Sequence, residues 1–467
     1  MKTLVMKFGG LAVGTTTSLT QVLSIILHEH ERWNRLLIVV SALEGVTDAL
    51  LEATRLAQVS NRRGYRRISA TLRTRHMSLV EHLPLGPTER QALQADMDRL
   101  LFEMLDQLQS VADAAQEDLS AEKVDSIVGT GERLAARIVA AMVRQNNIRA
   151  VAIDSQSLII TDANFGNAVP DVEASCERIT QNLLPMLDRK IIPVITGFIG
   201  STPDGRITTL GRGGSDYTAS VLGSCSGADE VWIWTTVDGM MTTDPNEVDN
   251  ARVISDMTYA EVGEMAYFGA RVLHARMIGP LQSKKILLRI KNVFKPGQEG
   301  TLISSGAKKQ PRSLKAVTVI QGIGLSADRS GPLSAITATV NEVLMSTAGS
   351  PAEVMISSQS ASRSFLCFVI PTSSGPSAVR AAMDILQAEL ESSPITWQVE
   401  QVSLVTIIGA HLNDMQDIMA GLLGQLKGIP VLGMAQGPSN CSMSFVIPPE
   451  SVYEAQARLH DYVLDHS

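Results

Sequence analysis

The sequence predicts an α/β fold with a mainly parallel sheet, followed by two copies of a small β-α-β-β-α-β unit. Three observations carry this. Short β-rich runs alternate with longer helical patterns over the first 303 residues, a polar break falls near 304–313, and beyond it the chain repeats itself.

The strands of the first part are read at 3–8, 36–41, 149–153, 191–196 and 230–234. Each is a continuous apolar run bounded by turn residues, the pattern of a strand covered on both faces. Between them, Ser18–His30, part of Ala115–Gln145, Val172–Leu187 and Tyr217–Gly227 carry helical spacing. Alternating β and α elements place ligands at the carboxyl ends of parallel strands. The stretch 52–120, rich in Arg, Gln, Glu and Leu, reads as a helical insertion, with Arg62, Arg63, Arg66 and Arg67 on a solvated helix face. Trp232 and Trp234 alternate on a buried strand and are expected in the core.

The repeat is direct. Gln359–Pro371 aligns without gaps on Gln436–Pro448, an offset of 436 − 359 = 77 residues with six identities. Each copy holds a strand (316–322, 402–408), a helix (332–347, 414–427), the matched strand pair and a second helix (375–391, 449–464). Duplication of one supersecondary unit explains the pattern. The expected domains are 1–303, 314–395 and 396–467, which agrees with about three domains at roughly 150 residues each.

Composition narrows the function. Lys and Arg number 40 against 48 Asp and Glu, a net charge of −8. No long basic run offsets it, so neither a nucleic acid nor an anionic membrane is the expected partner. The four cysteines, Cys176, Cys225, Cys367 and Cys441, form no Cys-x-x-Cys pair. That argues against a structural zinc site or a disulfide framework and for a reducing cytoplasm. The chain opens directly into a strand-like run without signal-peptide architecture, and no apolar stretch approaches ~20 residues.

Two glycine-rich segments carry chemistry. Lys7-Phe8-Gly9-Gly10 ends the first strand, where glycines can admit a phosphate and a cation can neutralise a transferred phosphoryl group, though taken alone this pattern is more often an ordinary strand-ending turn. The Walker A pattern is absent. Gly211-Arg212-Gly213-Gly214-Ser215-Asp216 opens a helix as an anion nest. Arg212 can grip a carboxylate bidentately, Ser215 offers a hydroxyl, and Asp216 either caps the helix, fixes a lysine or holds a metal-bound nucleotide. Ser41-Ala42-Leu43-Glu44-Gly45-Val46-Thr47 ends a strand, and Gly131-Glu132 opens a helix. Taken alone, Ser41 and Thr47 are equally turn and cap residues, and Glu132 equally a first-turn acid answering the helix dipole.

Together these residues resemble the aspartate kinases of the amino-acid kinase family, over nearly the whole chain. The resemblance rests on Lys7–Gly10, Val40-Ser41-Ala42 with Gly45-Val46-Thr47, Gly131-Glu132, Gly197–Gly200, Thr208–Ala219, Asp244-Pro245, Tyr267–His274 and Gly300–Ile303. The Leu210–Ala219 stretch is highly specific to that family. The duplicated unit resembles tandem ACT domains, which sense an end-product amino acid, and Gln436-Gly437-Pro438-Ser439 is similar to their Gln-Gly-Ser-Ser.

The resemblance implies a three-layer kinase domain that phosphorylates the β-carboxylate of L-aspartate with ATP and Mg2+. Lys7 would neutralise the γ-phosphoryl group and Asp216 would hold Lys7. Gly9, Gly10, Ser41, Gly213 and Gly214 would line the phosphates. Glu132 would bind the substrate ammonium and Arg212 its α-carboxylate, with Thr47 and Ser215 assisting. Thr235, Thr236, Met241, Asn246, Arg271 and Val272 would lie toward the nucleotide, and no protein side chains are expected as metal ligands. An amino-acid effector, lysine or threonine first, would bind at the loops Ala327–Pro332 or Ala410–Met415. A homo-oligomer would form through ACT pairing.

The departures from the family pattern cluster. Leu11-Ala12 stands for Thr-Ser, and Thr235-Thr236-Val237-Asp238-Gly239 for Thr-Asp-Val-x-Gly. Met241 and Asn246 replace aromatic and basic residues, Arg271 a Lys, Ala275 a Pro, and Leu412–Met415 lacks a helix-opening Gly. Substrate and phosphoryl positions survive while those around the nucleoside change. The leading expectation is an aspartate kinase. The alternative is a catalytically silent homologue that binds an amino acid as a regulatory subunit. A kinase for another small acid is disfavoured by Thr47, Glu132 and Arg212. A fused homoserine dehydrogenase domain is not expected, because the sequence ends soon after the second repeat.

Overall fold

In the computed structural model the described residues are all but 115–120, 271–272, 307–312, 331–332, 350, 371–374, 392, 394, 415 and 467. The chain folds into two compact units. The first comprises Met1–Met240, Ser255–Tyr259 and Leu273–Ser305, and the second Met241–Ile254, Ala260–Val272 and Gly306–Ser467. Two segments from within the first 303 residues thus pack with the second unit.

The elements begin with β1 (Thr3–Phe8), α1 (Thr16–Arg32), β2 (Arg35–Val40), α2 (Val46–Gln58), α3 (Arg62–Glu81), α4 (Pro87–Asp113), α5 (Ala121–Val128) and α6 (Thr130–Gln145). The expected helical insertion is therefore α2 to α4. Arg62, Arg63, Arg66 and Arg67 lie exposed on α3, with Arg62 paired to Asp113 at 2.6 Å. There follow β3 (Ala150–Ile153), β4 (Ile160–Thr161), β5 (Pro170–Asp171), α7 (Val172–Asn182), α8 (Leu184–Asp188), β6 (Ile192–Thr196), β7 (Ile199–Ser201), β8 (Ile207–Thr209) and α9 (Gly214–Ser226). The single helix expected over Val172–Leu187 is interrupted at Leu183, whose backbone stays right-handed helical, because Pro185 has no N–H to continue the ladder to the carbonyl four residues before it. Next come β9 (Glu230–Thr235), β10 (Asp256–Thr258), α10 (Tyr259–Tyr267), α11 (Ile278–Lys284), β11 (Leu287–Asn292) and β12 (Thr301–Ser304).

Eight of these strands form one sheet in the order β10-β12-β11-β9-β1-β2-β6-β3. Every pairing is parallel except β11 with β12. β1 sits centrally, with Lys7 opposite Val39 on one side and Ile233 on the other. Side chains alternate across it. Leu4, Met6 and Phe8 join a core with α1, α2, α4 and α6 that also buries Trp232 and Trp234, while Val5 and Lys7 face the opposite side. The order reverses at β1, which places a ligand crevice at its carboxyl end. A smaller sheet, β5-β4-β7-β8, completes this unit.

The second unit contains β13 (Ser313–Ala327), α12 (Leu333–Ala348), β14 (Glu353–Gln359), β15 (Ser364–Val369), α13 (Gly375–Leu390), β16 (Trp397–Ala410), α14 (Gln416–Gln425), β17 (Gly433–Gln436), β18 (Ser442–Ile447) and α15 (Val452–Asp465). Both repeats share one antiparallel sheet, β14-β15-β13-β16-β18-β17. β13 and β16 run much longer than expected and pair with each other from Ser313/Ala410 to Ala327/Trp397. The first repeat takes β16 as its fourth strand, and the second takes β13, so neither sheet is complete alone. Each half keeps its own apolar core, one around Val340, Leu366 and Phe368 and one around Val405, Phe445 and Leu459.

One expectation about the cysteines is corrected. Cys176 on α7 and Cys225 on α9 form a disulfide, their Cα atoms 4.7 Å apart and 49 residues apart in sequence. Cys367 and Cys441 are free and buried. Among the described residues no helix is long and apolar enough to cross a membrane.

Candidate functional site

The site assembles at the carboxyl end of β1. Lys7 leaves the strand on the face toward α9, whose first turn carries Asp216. Lys7 Nζ lies 2.6 Å from Asp216 Oδ1, with the two side chains 11% and 13% exposed. The approach is an ion pair without hydrogen-bond alignment, so Asp216 Oδ1 has no aligned donor. Asp216 does not cap its helix: the N-cap is Gly213, and no side chain closes it. The Gly214 amide donates to the Gly211 carbonyl at 2.9 Å, and the amides that follow it in the first turn have no side-chain cap and can face an anion.

Two glycines are set by close approach. Gly213 holds φ +72°, and a Cβ there would stand 2.5 Å from His274 Cβ. At Gly10 a Cβ would stand 2.8 Å from the Ala42 carbonyl oxygen, so the turn after β1 can lie directly on the turn after β2. The Ser41 amide donates to the Phe8 carbonyl at 3.1 Å, and the Gly9 amide to that of Trp234 at 3.3 Å. These bonds knit the three central strand ends together.

Glu132, in the first turn of α6, faces the same turn. Its Oε1 accepts from the Ala42 amide at 3.1 Å, and its Oε2 is buried without a partner. The residue is 3% exposed. Burial pushes its carboxyl up to about 8, against the lowering effect of the Ala42 amide. A buried acid with one unsatisfied oxygen is a receptor for a cation.

The expected residues Lys7, Gly9, Gly10, Ser41, Glu132, Gly213, Gly214, Ser215 and Asp216 thus stand on adjoining turns. Ser215 is buried in the first turn of α9. Thr47 lies half-buried in the first turn of α2, and Arg212 is exposed beside the glycines. The Arg212 charge reaches His274, whose pKa is lowered by burial, then by Arg276 and Arg212, against Asp216. Thr235 ends β9 and Thr236 follows it; Asn292 Nδ2 donates to the Thr236 carbonyl at 3.1 Å. Met241 and Asn246 belong to the second unit. There Asn246 Nδ2 donates to Asp244 at 3.0 Å. Arg271 and Val272 lie outside the described residues.

Sequence reasoning missed the residues that brace the glycine turn. Buried Asp125 accepts from the Thr209 amide at 2.7 Å, the Thr209 hydroxyl at 2.9 Å and the Gly166 amide at 2.8 Å. Arg276 donates to Asn167 at 2.7 Å and to the Leu210 carbonyl at 3.2 Å. No local motif marks them. The conformation of Phe198, at φ +69°, was also illegible; its amide donates to Thr218 Oγ1 at 3.1 Å.

A family profile described as the amino acid kinase family matches residues 2–292. The aspartokinase of Chlamydia muridarum is 30% identical over 99% of this chain and 97% of its own length. The chloroplastic bifunctional aspartokinase/homoserine dehydrogenase 1 of Zea mays is 30% identical over 97% of this chain, which spans only 50% of that relative. Among solved structures, E. coli aspartokinase III superposes with a TM-score of 0.77 in its complex with aspartate and ADP and 0.82 in its complex with lysine and aspartate. The identities are 27% and 26%, covering 99% of this chain and 100% of each. With the glycine turns, the Lys7–Asp216 pair and the parallel sheet that presents them, these matches mean that the chain belongs to the amino acid kinase family.

Proposed function

We propose that this chain transfers the γ-phosphoryl group of ATP to the β-carboxylate of L-aspartate, giving 4-phospho-L-aspartate on the route to lysine, threonine and methionine. The observation that carries the reading is the pairing of two charges with separate tasks: Lys7, steered by Asp216, and Glu132, buried with one free oxygen. Aspartate and ADP in the E. coli aspartokinase III complex support the assignment.

A carboxylate is already a nucleophile, so no general base is required. Catalysis reduces to positioning and charge stabilisation. Glu132 receives the substrate ammonium and Arg212 its α-carboxylate, with Thr47 and Ser215 as hydroxyl partners. Gly9, Gly10, Ser41, Gly213 and Gly214 let phosphate oxygens approach the backbone. Lys7 stabilises charge on the moving phosphoryl group, and Asp216 keeps its ammonium aimed there. Thr235, Thr236, Met241, Asn246, Arg271 and Val272 are assigned to the nucleotide side. Magnesium, carried on the triphosphate, supplies further neutralisation of phosphate charge; among the described residues no three His, Cys, Asp or Glu side chains converge to hold it.

Residues 1–303 are assigned to the kinase, and 314–395 and 396–467 to two ACT-like sensors for an amino-acid effector. Lysine in the E. coli aspartokinase III complex supports that class of effector. Self-association through the ACT units and a cytoplasmic location, without nucleic-acid or membrane partners, complete the reading. The test is an assay with aspartate, ATP and magnesium in which hydroxylamine traps the aspartyl phosphate. Hydroxamate formation supports the reading. Its absence with every triphosphate at millimolar concentration transfers the chain to the silent, amino-acid-binding class.

A further inference from the structure

We propose that the surface cavity beside Cys176 is a thiol–disulfide exchange site for a small charged thiol of the glutathione class, with exchange beginning on the Cys176 sulfur. Nothing in the kinase reading uses this feature. The Cys176–Cys225 disulfide ties α7 to α9, the helix whose first turn carries Ser215 and Asp216. Both cysteines are half-buried, so neither is sealed in the core.

The cavity, about 1130 Å³, is lined by Cys176 but not by Cys225. A thiol entering it therefore meets one sulfur of the bond first. Its walls also present Arg276 and Lys284 with Glu173 and Glu177. Lys284, Glu173 and Glu177 are exposed, and among the described residues they are in no ion pair. Charges of both signs suit a tripeptide thiol that bears two carboxylates and one ammonium. The volume is ample for such a ligand. Cys367 and Cys441 do not compete, because burial pushes their thiols up to about 12 and about 11.

The exchange is balanced without an added oxidant. The incoming thiolate attacks Cys176 Sγ, the Cys176–Cys225 bond breaks, and a mixed disulfide forms on Cys176. The electron pair leaves on Cys225 Sγ, which takes a proton from solvent.

Oxidised glutathione tests this on the full-length chain. In Cys225→Ser the Cys176 thiolate attacks the reagent and one glutathione departs. In Cys176→Ser the Cys225 thiol is the only member of the pair left. Both variants lack the cross-link, so its loss affects them alike. Mass spectrometry is expected to show glutathione on Cys176 forming at least about tenfold faster than on Cys225. Adding Lys284→Glu to Cys225→Ser is expected to slow glutathione several-fold and leave the neutral 2-hydroxyethyl disulfide unchanged. Equal rates at the two cysteines, or equal slowing of both reagents, overturns the proposal.

Discussion

Lys7 Nζ stands 2.6 Å from Asp216 Oδ1, joining the end of the central strand to the first turn of α9. Both side chains are largely withdrawn from water, where charge interactions strengthen. The pair is not aligned as a hydrogen bond; in the proposed reaction the ammonium would keep donors for a phosphoryl oxygen while the carboxylate fixes its direction. The same turn has no side-chain cap, so under the proposed function cation and helix N-terminus would act on one phosphate.

If Glu132 receives the substrate ammonium as proposed, aspartate binding depends on pH. Its carboxyl, pushed up to about 8 from 4.5, is mostly protonated at neutral pH in the free enzyme, and an ammonium ligand requires the carboxylate. The KM for aspartate is expected to fall as pH rises toward that value, by about tenfold per unit well below it. Stability moves the opposite way. Between 4.5 and about 8 the folded chain holds a proton that the unfolded chain has lost, so stability falls as pH rises across that window. Glu132→Gln should flatten this component of the Tm–pH curve and lose aspartate affinity. Unchanged pH profiles in the variant would count against the assignment.

Gly213 and Gly227 separate steric crowding from backbone strain. Both adopt positive φ, +72° and +63°, but a Cβ at Gly213 meets His274 at 2.5 Å whereas one at Gly227 meets nothing within 4 Å. Gly227→Ala should lose about 1 kcal/mol from the left-handed conformation alone. Gly213→Ala should lose roughly 2–4 kcal/mol, since overpacking adds to the strain. Urea titrations of the two variants check this, and equal losses would show that His274 yields freely.

Thr236 tests the nucleotide side. Its backbone is already held by Asn292, so a carboxylate introduced there would be presented on a fixed loop. With each net hydrogen bond worth about 0.5–1.5 kcal/mol, Thr236→Asp is expected to lower the ATP KM roughly three- to tenfold and leave aspartate KM unchanged. Because Thr236, Met241 and Asn246 replace the family's usual nucleotide-side residues, the unmodified chain is expected to bind ATP weakly, and low micromolar affinity would contradict this.

Effector binding is best measured by calorimetry on the full chain. A fragment beginning at 314 would lose the bond from the Val317 amide to the Thr242 carbonyl at 2.7 Å, together with Thr242 to His460 at 2.8 Å and Gln456 to Thr243 at 2.9 Å. Lysine or threonine is expected to bind. No heat with lysine, threonine or methionine would remove the sensor assignment.

What the sequence made legible was local. Lys7-Phe8-Gly9-Gly10 and Gly211–Asp216 carry their chemistry in consecutive residues, and the repeat at 359 and 436 announces itself by alignment. Buried strands such as Thr3–Phe8 stand out as apolar runs. The short strands β4, β5 and β7 offer two or three residues each, too few for periodicity. Contacts between distant segments left no mark: the Ala42 amide on Glu132, Asp125 beneath Thr209, and Cys176 bonded to Cys225 all depend on how helices are laid over the sheet. The long β13–β16 pairing was hidden because polar residues such as Gln398 and Glu400 on its exposed face broke the apolar pattern.

The central claim is that Lys7, aimed by Asp216, stabilises the transition state more than it binds substrate. The measurement that tests it most directly is the steady-state rate of hydroxamate formation by Lys7→Met beside the unmodified chain. Loss of one such electrostatic donor should lower kcat by about 10²–10³-fold, with aspartate KM within about threefold of its original value. A Lys7→Met enzyme with near-normal kcat would contradict the account.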